Sequence, residues 1–203
     1  MDIHAKLQTP VARAVHLRRP HKTNFSDLGS VTDMPDNTFN VLVLCTGNSA
    51  RSIMAEALFN VLGKGRFRAY SAGSQPTGKV NPYAVERCEA IGYDVSALRS
   101  KGWNEFAAPN APQMDFVLTV CDQAAGEACP VWPGKPMTAH WGFQDPAAFE
   151  GSDDEKRALF NKVFRQIMAR VSQFVNLPLH VLDRNTIQKE MWAIGQQQVE
   201  FPR

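Results

Sequence analysis

The sequence predicts an α/β fold built around a parallel β-sheet. Short apolar segments rich in β-branched residues alternate along the chain with segments whose apolar residues recur at helical spacing. The first of the short segments, Val41-Leu42-Val43-Leu44, is entirely apolar, which is typical of a strand buried on both faces of a sheet. Strands that alternate with helices form layered α/β folds, because each helix buries its apolar face against the sheet.

The first half of the predicted domain contains two strand and helix pairs and a third strand. Residues 52–62 carry apolar side chains at helical spacing and are followed by two glycines, which end helices. Residues 67–71 predict the second strand. Residues 81–91 begin with Asn-Pro and are followed by glycine, so they predict a second helix. Residues 116–120 are apolar and predict the third strand.

The second half contains a short strand and two helices. Residues 137–141 predict the fourth strand. A long amphipathic helix follows, for which Asp153 or Asp154 is the expected N-cap, and Leu177-Pro178 ends it. Residues 185–194 predict a last helix.

Composition and charge exclude several classes of protein. The chain has 203 residues, and 22 Lys and Arg against 20 Asp and Glu give a net charge of +2, so no overall basic charge is available to hold a nucleic acid. No apolar run approaches the roughly 18 residues that a membrane span needs. The first twenty residues are basic but lack a secretory apolar core, so we expect a cytoplasmic protein. Four cysteines are too few for a disulfide scaffold.

Residues 1–38 are predicted to be a disordered N-terminal extension, and residues 39–203 the catalytic domain. The first segment mixes His, Arg, Pro, Asn and Asp without helical or strand periodicity. A start codon assigned too early is a related interpretation, because Met34 lies just before the first strand.

The turn after the first strand has the features of an oxyanion site. Cys45 and Arg51 are separated by five residues, a loop short enough for its backbone N–H groups to surround one tetrahedral oxyanion. The helix that follows adds the positive end of its dipole. Arg51 provides a planar fork that can bind two oxyanion oxygens together.

The same loop predicts a reactive thiol. Cys45 would lie among hydrogen-bond donors, and such sites lower the pKa of a thiol from about 8.5 to between roughly 3.5 and 7.5. Ser52 can donate a hydrogen bond to the thiolate, while Gly47 and Asn48 tolerate tight or left-handed backbone angles. The alternative is a buried cysteine and an arginine in an ordinary strand-to-helix turn.

This loop resembles that of a known family. Cys45-Thr46-Gly47-Asn48-Ser49-Ala50-Arg51-Ser52 is similar to the signature loop of the low-molecular-weight protein tyrosine phosphatase superfamily, and within it most similar to the arsenate reductases. The resemblance covers about residues 40–195. It includes Tyr70-Ser71-Ala72-Gly73, Leu98-Arg99-Ser100-Lys101 and His140-Trp141-Gly142, followed by Asp145-Pro146.

The resemblance implies a fold and a set of roles. The fold is a four-stranded parallel sheet with helices on both faces. Cys45 is the nucleophile, Arg51 binds the oxyanion, and Asp145 is the general acid that protonates the departing oxygen. The other residues expected to bind the oxyanion or shape the loop are Thr46, Gly47, Asn48, Ser49, Ala50 and Ser52.

Two further cysteines favour a reductase. In arsenate reductases that couple to thioredoxin, two cysteines after the third strand carry a disulfide relay. Cys121 and Cys129 match them, although seven residues separate them where six are expected. The alternatives are two inert core thiols, or a zinc site with His140 that lacks a fourth ligand. Cys88 lies in a predicted helix and is expected to be buried.

The segment between Cys121 and Cys129 is predicted to form a short helix in the reduced enzyme. Residues 122–128 are rich in alanine and contain an early aspartate. Eight residues of helix span about 12 Å, whereas a disulfide needs Cα atoms roughly 4.4–6.8 Å apart. The relay therefore requires this segment to unwind, with Gly126 absorbing the change.

A potassium site is also implied by the resemblance, because some thioredoxin-coupled members bind the ion beside the loop through Asn, Glu, Ser and Asp oxygens. Asn48, Glu56 and Ser71 match three of these positions, and Asn104 stands as the candidate for the fourth. We expect no cofactor.

The expected function is the reduction of arsenate to arsenite, with thioredoxin or another thiol reductant as the partner and no nucleic acid or membrane involved. The alternative is a phosphatase acting on phosphotyrosine or small aryl phosphates. Against it, Ala147-Ala148-Phe149 occupies the place where tyrosine phosphatases usually carry tyrosines that stack on the substrate ring. A third interpretation is an oxyanion-binding or thiol-sensing regulator without turnover.

Overall fold

The computed structural model describes residues 38–126 and 130–198. Its strands are β1 (Phe39–Cys45), β2 (Phe67–Gly73), β3 (Phe116–Thr119) and β4 (Met137–His140). All pairings are parallel, and the strand order is β2-β1-β3-β4. The predicted fold class is confirmed. The predicted extension lies outside the described residues except for Thr38.

The described residues form five α-helices. They are α1 (Arg51–Leu62), α2 (Pro82–Ala90), α3 (Asp122–Gly126), α4 (Asp153–Val175) and α5 (Arg184–Gln196). Two short 3-10 helices, Val95–Ala97 and Trp103–Phe106, lie between α2 and β3. None of the helices in the described part of the chain combines the length and apolarity that a membrane crossing requires.

The central strand β1 is buried on both faces. Val41 and Val43 join a large apolar cluster with residues of α1, α2, α4 and α5, whereas Leu42 and Leu44 join a smaller cluster on the other face. That second face is covered by the 3-10 helix Trp103–Phe106 and neighbouring loops. Cover on both faces explains why β1 is apolar at every position from Val41 to Leu44.

The N-terminus of α4 differs by one residue from the prediction. Ser152, not Asp153 or Asp154, is the N-cap, because Ser152 and Glu155 form a capping box. The Ser152 hydroxyl accepts the Glu155 N–H at 3.4 Å, and the Glu155 carboxylate accepts the Ser152 N–H at 2.8 Å. The two aspartates occupy the first turn, where negative charge stabilises the helix dipole.

The last helix, α5, packs along the edge strand β4. The Gln188 side-chain amide donates to the Thr138 carbonyl at 2.7 Å, and the Trp141 indole N–H donates to the Met191 carbonyl at 2.9 Å. Gly195 permits close approach, since a Cβ there would lie 2.4 Å from a carbonyl oxygen at the end of β4. The helix thus covers a sheet edge that would otherwise present unpaired backbone groups.

The register of the sheet brings the two predicted redox segments together. Leu44 pairs with Thr119, and the Val120 N–H donates to the Leu44 carbonyl at 2.9 Å. Cys45, the last residue of β1, and Cys121, which follows β3, therefore lie at the same carboxyl edge of the sheet, where ligands bind in open α/β folds.

An aromatic cluster fixes α4 against the sheet. The Phe174 ring centroid lies 5.0 Å from that of Phe116 in an edge-to-face contact, and 5.8–5.9 Å from those of Phe59, Phe67 and Trp141. Phe174 is fully buried. Its ring joins α4 to residues of β2, β3 and α1 and to Trp141, which follows β4.

Replacing Phe174 with alanine should lower the free energy of unfolding by about 3–5 kcal/mol, because the lost ring leaves a cavity among four aromatic neighbours. Urea unfolding followed by circular dichroism measures this change. The matched control is Trp192→Ala on α5, whose side chain is 64% exposed, and which should change the free energy by no more than about 0.5 kcal/mol. Equal losses in the two variants would show that the cluster is not central to stability.

Candidate active site

The loop between β1 and α1 turns its carbonyl oxygens outward. Three of them accept hydrogen bonds from backbone N–H groups of residues 75–81: Thr46 from Gln75 at 3.0 Å, Gly47 from Thr77 at 3.0 Å and Ser49 from Asn81 at 2.9 Å. Peptide groups whose carbonyls point outward direct their N–H groups into the loop. Ala50, the N-cap of α1, has no side-chain group that could bond the first helical N–H groups. The interior of the loop is therefore a set of anion-binding donors.

Asn48 holds this loop in shape. Its φ of 43° is in the left-handed region, and its side chain is fully buried. The side-chain NH₂ donates to the hydroxyls of Ser52 and Ser71, both at 2.9 Å, while the side-chain oxygen accepts the Lys101 N–H at 2.8 Å. Every hydrogen bond of the Asn48 amide thus supports one backbone conformation.

Behind Asn48 lies a buried ion pair. The Lys101 ammonium is 3.5 Å from the Glu56 carboxylate, and 3.3 Å from the Arg99 carbonyl, which accepts a hydrogen bond from it. The Ser71 hydroxyl donates a hydrogen bond to the same Glu56 carboxylate. The exposed fractions of the Lys101 and Glu56 side chains are only 7% and 11%.

The residues predicted to bind potassium do not fit that ion. The Asn48 oxygen is used by the Lys101 N–H, and the negative charge of Glu56 is already paired with an ammonium. Asn104, the candidate fourth ligand, is exposed to solvent. A lysine side chain provides the positive charge at this place.

The Cys45 thiol lies on the floor of the loop. Its Sγ is 2.9 Å from the Ser52 Oγ and accepts the Asn48 N–H at 3.2 Å. Because the Ser52 Oγ already accepts a hydrogen bond from Asn48, its own proton is free to be donated to the sulfur. Both bonds favour the thiolate.

Burial nevertheless raises the pKa of the Cys45 thiol above its usual value, and the hydrogen bonds from Ser52 and Asn48 only oppose this rise. The predicted lowering of the Cys45 pKa is therefore wrong. The physical reason is that loss of water around a thiol that is 3% exposed outweighs the hydrogen bonds from Ser52 and Asn48.

Arg51 and Asp145 face each other at the mouth of the loop. One guanidinium NH₂ of Arg51 pairs with the Asp145 carboxylate at 2.8 Å, and the other donates to the Phe143 carbonyl at 3.0 Å. The second carboxylate oxygen of Asp145 accepts the Ala147 N–H at 3.0 Å. The guanidinium and the predicted acid are thus fixed relative to one another.

Cys121 lies opposite Cys45 in the same site. Its Sγ is 3.5 Å from the Thr46 hydroxyl and accepts the Ala124 N–H at 3.4 Å. The predicted short helix is present through Gly126. Cys129, the predicted third thiol, lies outside the described residues.

His140 makes contacts that do not suit a metal ligand. Its Nε2 is 3.0 Å from the Asp122 carboxylate, and its Nδ1 is 2.9 Å from the Thr119 hydroxyl, so both ring nitrogens already have partners. Within residues 38–126 and 130–198, no three His, Cys, Asp or Glu side chains are grouped so that they could hold a metal ion. The zinc interpretation therefore gains no support from the described residues.

These groups surround a pocket of about 570 Å³. Its walls combine the loop, the start of α3 and the segment after the predicted acid. The lining residues are Cys45, Thr46, Gly47, Ser49, Ala50, Arg51, Thr77, Cys121, Asp122, Gln123, Asp145, Ala147 and Ala148. Of the described residues predicted for the site, Asn48 and Ser52 stand behind the pocket and support it.

Sequence reasoning missed two features of the site. The Phe143 carbonyl binds Arg51, and no residue type marks a backbone acceptor in a sequence. Lys101 belongs to a segment that the resemblance singled out, yet its contact with Glu56 spans 45 residues of chain. The presence of Lys101 within that segment was the only available signal.

Replacing Ser52 with alanine should raise the pKa of the Cys45 thiol further, since a donor to the thiolate is lost. The rate of Cys45 alkylation by iodoacetamide, followed by mass spectrometry across pH, should shift toward alkaline pH. Cys88 provides an internal control, because burial, with Glu56 and Glu89 nearby, raises its pKa to about 12. An unchanged Cys45 profile would remove Ser52 from the control of this thiol.

Comparison with known proteins identifies the family. Residues 40–191 match the family of low molecular weight phosphotyrosine protein phosphatases. An arsenate reductase of Halalkalibacterium halodurans is 40% identical over 134 residues, which are 66% of this chain and 93% of that protein. The arsenate reductase of Bacillus subtilis is 38% identical, with the same coverage.

Solved structures agree with this assignment. The arsenate reductase of Archaeoglobus fulgidus superposes with a TM-score of 0.53 at 28% identity, covering 68% of this chain and 99% of that one. A low molecular weight protein tyrosine phosphatase of T. tengcongensis has a TM-score of 0.53 at 22% identity, covers 68% and 98% of the two chains, and shows the shared fold alone. From its oxyanion loop and its parallel sheet to the match over residues 40–191, this chain belongs to the low molecular weight phosphotyrosine protein phosphatase family.

Proposed function

We propose that this chain is an arsenate reductase that converts arsenate to arsenite with its own thiols as the first electron donors. The observation that carries the proposal is that two cysteines, Cys45 and Cys121, line one oxyanion pocket. Hydrolysis of a phosphate ester needs only one nucleophile, whereas a two-electron reduction needs a second thiol to accept the oxidation. The 34–40% identity to proteins named arsenate reductase supports the same activity.

The first step forms a bond between Cys45 and arsenic. Arsenate enters the loop, where the inward N–H groups and Arg51 bind its oxygens. A dianionic oxyanion can take up the proton of the buried Cys45 thiol, which yields the thiolate despite its raised pKa. The thiolate attacks arsenic, and one arsenate oxygen leaves as water with a proton from Asp145, which has to be in its carboxylic acid form at this step.

The second step reduces arsenic. The Cys121 thiolate attacks the Cys45 sulfur, a disulfide forms between them, and the electron pair of the sulfur–arsenic bond stays on arsenic. Arsenic(V) becomes arsenic(III), which leaves as arsenite and takes up protons from water. The Thr46 hydroxyl, 3.5 Å from the Cys121 sulfur, is placed to stabilise this thiolate.

The third step moves the disulfide out of the pocket. Cys129 attacks the Cys121 sulfur, which releases the Cys45 thiolate and leaves a Cys121–Cys129 disulfide. Cys121 is only 4% exposed and its sulfur accepts an N–H within α3, so α3 has to open for this exchange. Thioredoxin or another dithiol then reduces the disulfide, and the need for such a reductant supports a cytoplasmic location.

A phosphatase activity is the weaker candidate. The residues that line the pocket beyond Asp145 include Ala147 and Ala148, and no aromatic side chain is among the described lining residues. Among the described residues, the lining of the pocket therefore offers no ring to stack on a phosphotyrosine. Slow hydrolysis of small aryl phosphates needs only Cys45, Arg51 and Asp145, so we expect it as a side activity.

Replacing Cys121 with serine should block repeated arsenate reduction but leave aryl phosphate hydrolysis intact, because only the second step needs this thiol. Arsenate-dependent oxidation of thioredoxin and release of nitrophenol from an aryl phosphate measure the two activities. Cys45→Ser should abolish both, and Cys88→Ser, which alters a thiol outside the pocket, should preserve both. Multiple turnovers of arsenate by the Cys121 variant would refute the relay.

One turnover without reductant should leave a Cys121–Cys129 disulfide and raise amide exchange across residues 120–131, because α3 opens. Peptide mapping under acid quench identifies the bond, and hydrogen exchange measures the opening. In Cys129→Ala, the disulfide should stop at Cys45–Cys121. Full turnover of that variant with a small thiol reductant would remove Cys129 from the mechanism.

A further inference from the structure

We propose that Arg170 of α4 is a positioning residue that holds the loop carrying Asp145 at the mouth of the pocket. The inference rests on the proposed function, since it takes Asp145 as the general acid. Arg170 does not line the active-site pocket, and its effect on the reaction is transmitted through the backbone of residues 142–145.

The guanidinium of Arg170 makes three contacts with this loop and its surroundings. One NH₂ group donates to the Gly142 carbonyl at 3.0 Å, and the other donates to the Gln197 carbonyl at 2.7 Å. The guanidinium carbon lies 4.5 Å from the centroid of the Phe143 ring, within cation–π range. Arg170 thus bonds one backbone group of the loop and covers the next side chain.

Phe143, whose ring Arg170 covers, also forms hydrogen bonds at the active site. The Phe143 N–H donates to the Val120 carbonyl at 3.3 Å, and the Phe143 carbonyl accepts the Arg51 guanidinium at 3.0 Å. Two residues later, Asp145 pairs with Arg51 at 2.8 Å. A shift of the Phe143 peptide would therefore displace both the oxyanion-binding arginine and the acid.

The second anchor of Arg170 is itself fixed. Gln197 is the C-cap of α5, and the Gln173 side chain on α4 donates to the Gln197 side chain at 2.7 Å. α5 is held along β4 by the bonds of Gln188 and Trp141 described above. Arg170 therefore connects the acid loop to a rigid helix pair.

Stability alone does not account for an arginine at this position. The side chain is 8% exposed, and its buried Nε–H has no acceptor among the described residues. Burial also lowers the pKa of the Arg170 guanidinium, which is the expected effect of lost hydration. An apolar residue would avoid these costs. The planar fork of Arg170 bonds the Gly142 and Gln197 carbonyls at once.

The test is a double-mutant cycle between Arg170→Met and Asp145→Asn, with kcat/KM for arsenate as the measurement. We expect Arg170→Met to lower kcat/KM about tenfold, since small displacements of a catalytic group are costly. In the Asp145→Asn background, where no acid is left to position, the further loss on Arg170→Met should fall to about twofold or less, the part that acts through Arg51. The inhibition constant of inorganic phosphate should change by less than about twofold in Arg170→Met, because the loop N–H groups hold the oxyanion.

Two controls separate positioning from folding. Arg157→Met removes another arginine of α4, one that pairs with Glu86 away from the pocket, and should leave kcat/KM unchanged. Arg170→Lys keeps the charge near Phe143 but cannot bond both carbonyls. If Arg170→Met does not fold, Arg170→Lys takes its place in the cycle, with an expected loss of several-fold.

The outcomes are distinct. Equal losses in the wild-type and Asp145→Asn backgrounds, or no loss in the wild-type background, overturn the role of Arg170 while leaving the reductase assignment intact. If Asp145→Asn itself does not lower kcat/KM, the acid assignment fails, and the positioning role fails with it. Loss of activity in Cys121→Ser is independent of both, so it tests the reductase function separately.

Discussion

The candidate active site depends on the orientation of the peptide groups in the loop between β1 and α1. The carbonyls of Thr46, Gly47 and Ser49 are bonded by the segment 75–81, so the loop has no freedom to turn them inward. Gly73 allows this packing, because a Cβ there would lie 2.3 Å from the Thr46 carbonyl oxygen. The donors that face an oxyanion are therefore fixed before any ligand arrives, which is the condition for effective electrostatic stabilisation.

The Lys101–Glu56 ion pair behind the loop helps to hold these peptide groups in the same orientation. Glu56 accepts a hydrogen bond from Ser71, Ser71 accepts one from Asn48, and Asn48 fixes the left-handed turn. Lys101 supplies the positive charge for Glu56 from within the chain and bonds Asn48 through its backbone. The positive charge that supports the shape of the loop thus belongs to the chain itself.

Local sequence patterns were sufficient for the elements that position the site. The apolar segment Val41-Leu42-Val43-Leu44 and the glycines after α1 fix the strand and the helix on either side of the loop, so Cys45 and Arg51 could be placed correctly. The N-cap of α4 was misjudged because Ser, Asp and Asp compete at adjacent positions, and the deciding Ser152–Glu155 box is a matter of side-chain geometry.

Features that depend on tertiary contacts could not be predicted. The upward shift of the Cys45 pKa follows from burial beneath neighbouring segments, whereas the loop sequence shows only the hydrogen-bond donors that oppose it. The Lys101–Glu56 pair, the Phe143 carbonyl on Arg51 and the contacts of Arg170 each join parts of the chain that are 27 or more residues apart. Residue types gave no sign of these pairings, because lysine and arginine are usually found on the surface.

The burial of both pocket thiols has a consequence for how electrons enter the protein. Cys45 and Cys121 are 3% and 4% exposed, so a folded protein cannot bring its own sulfur against either of them. The interior admits a small tetrahedral ion and excludes anything with a tertiary structure. Under the proposed relay, chemistry on the oxyanion and delivery of reducing equivalents would be separated in space, and a moving segment of the chain would connect the two.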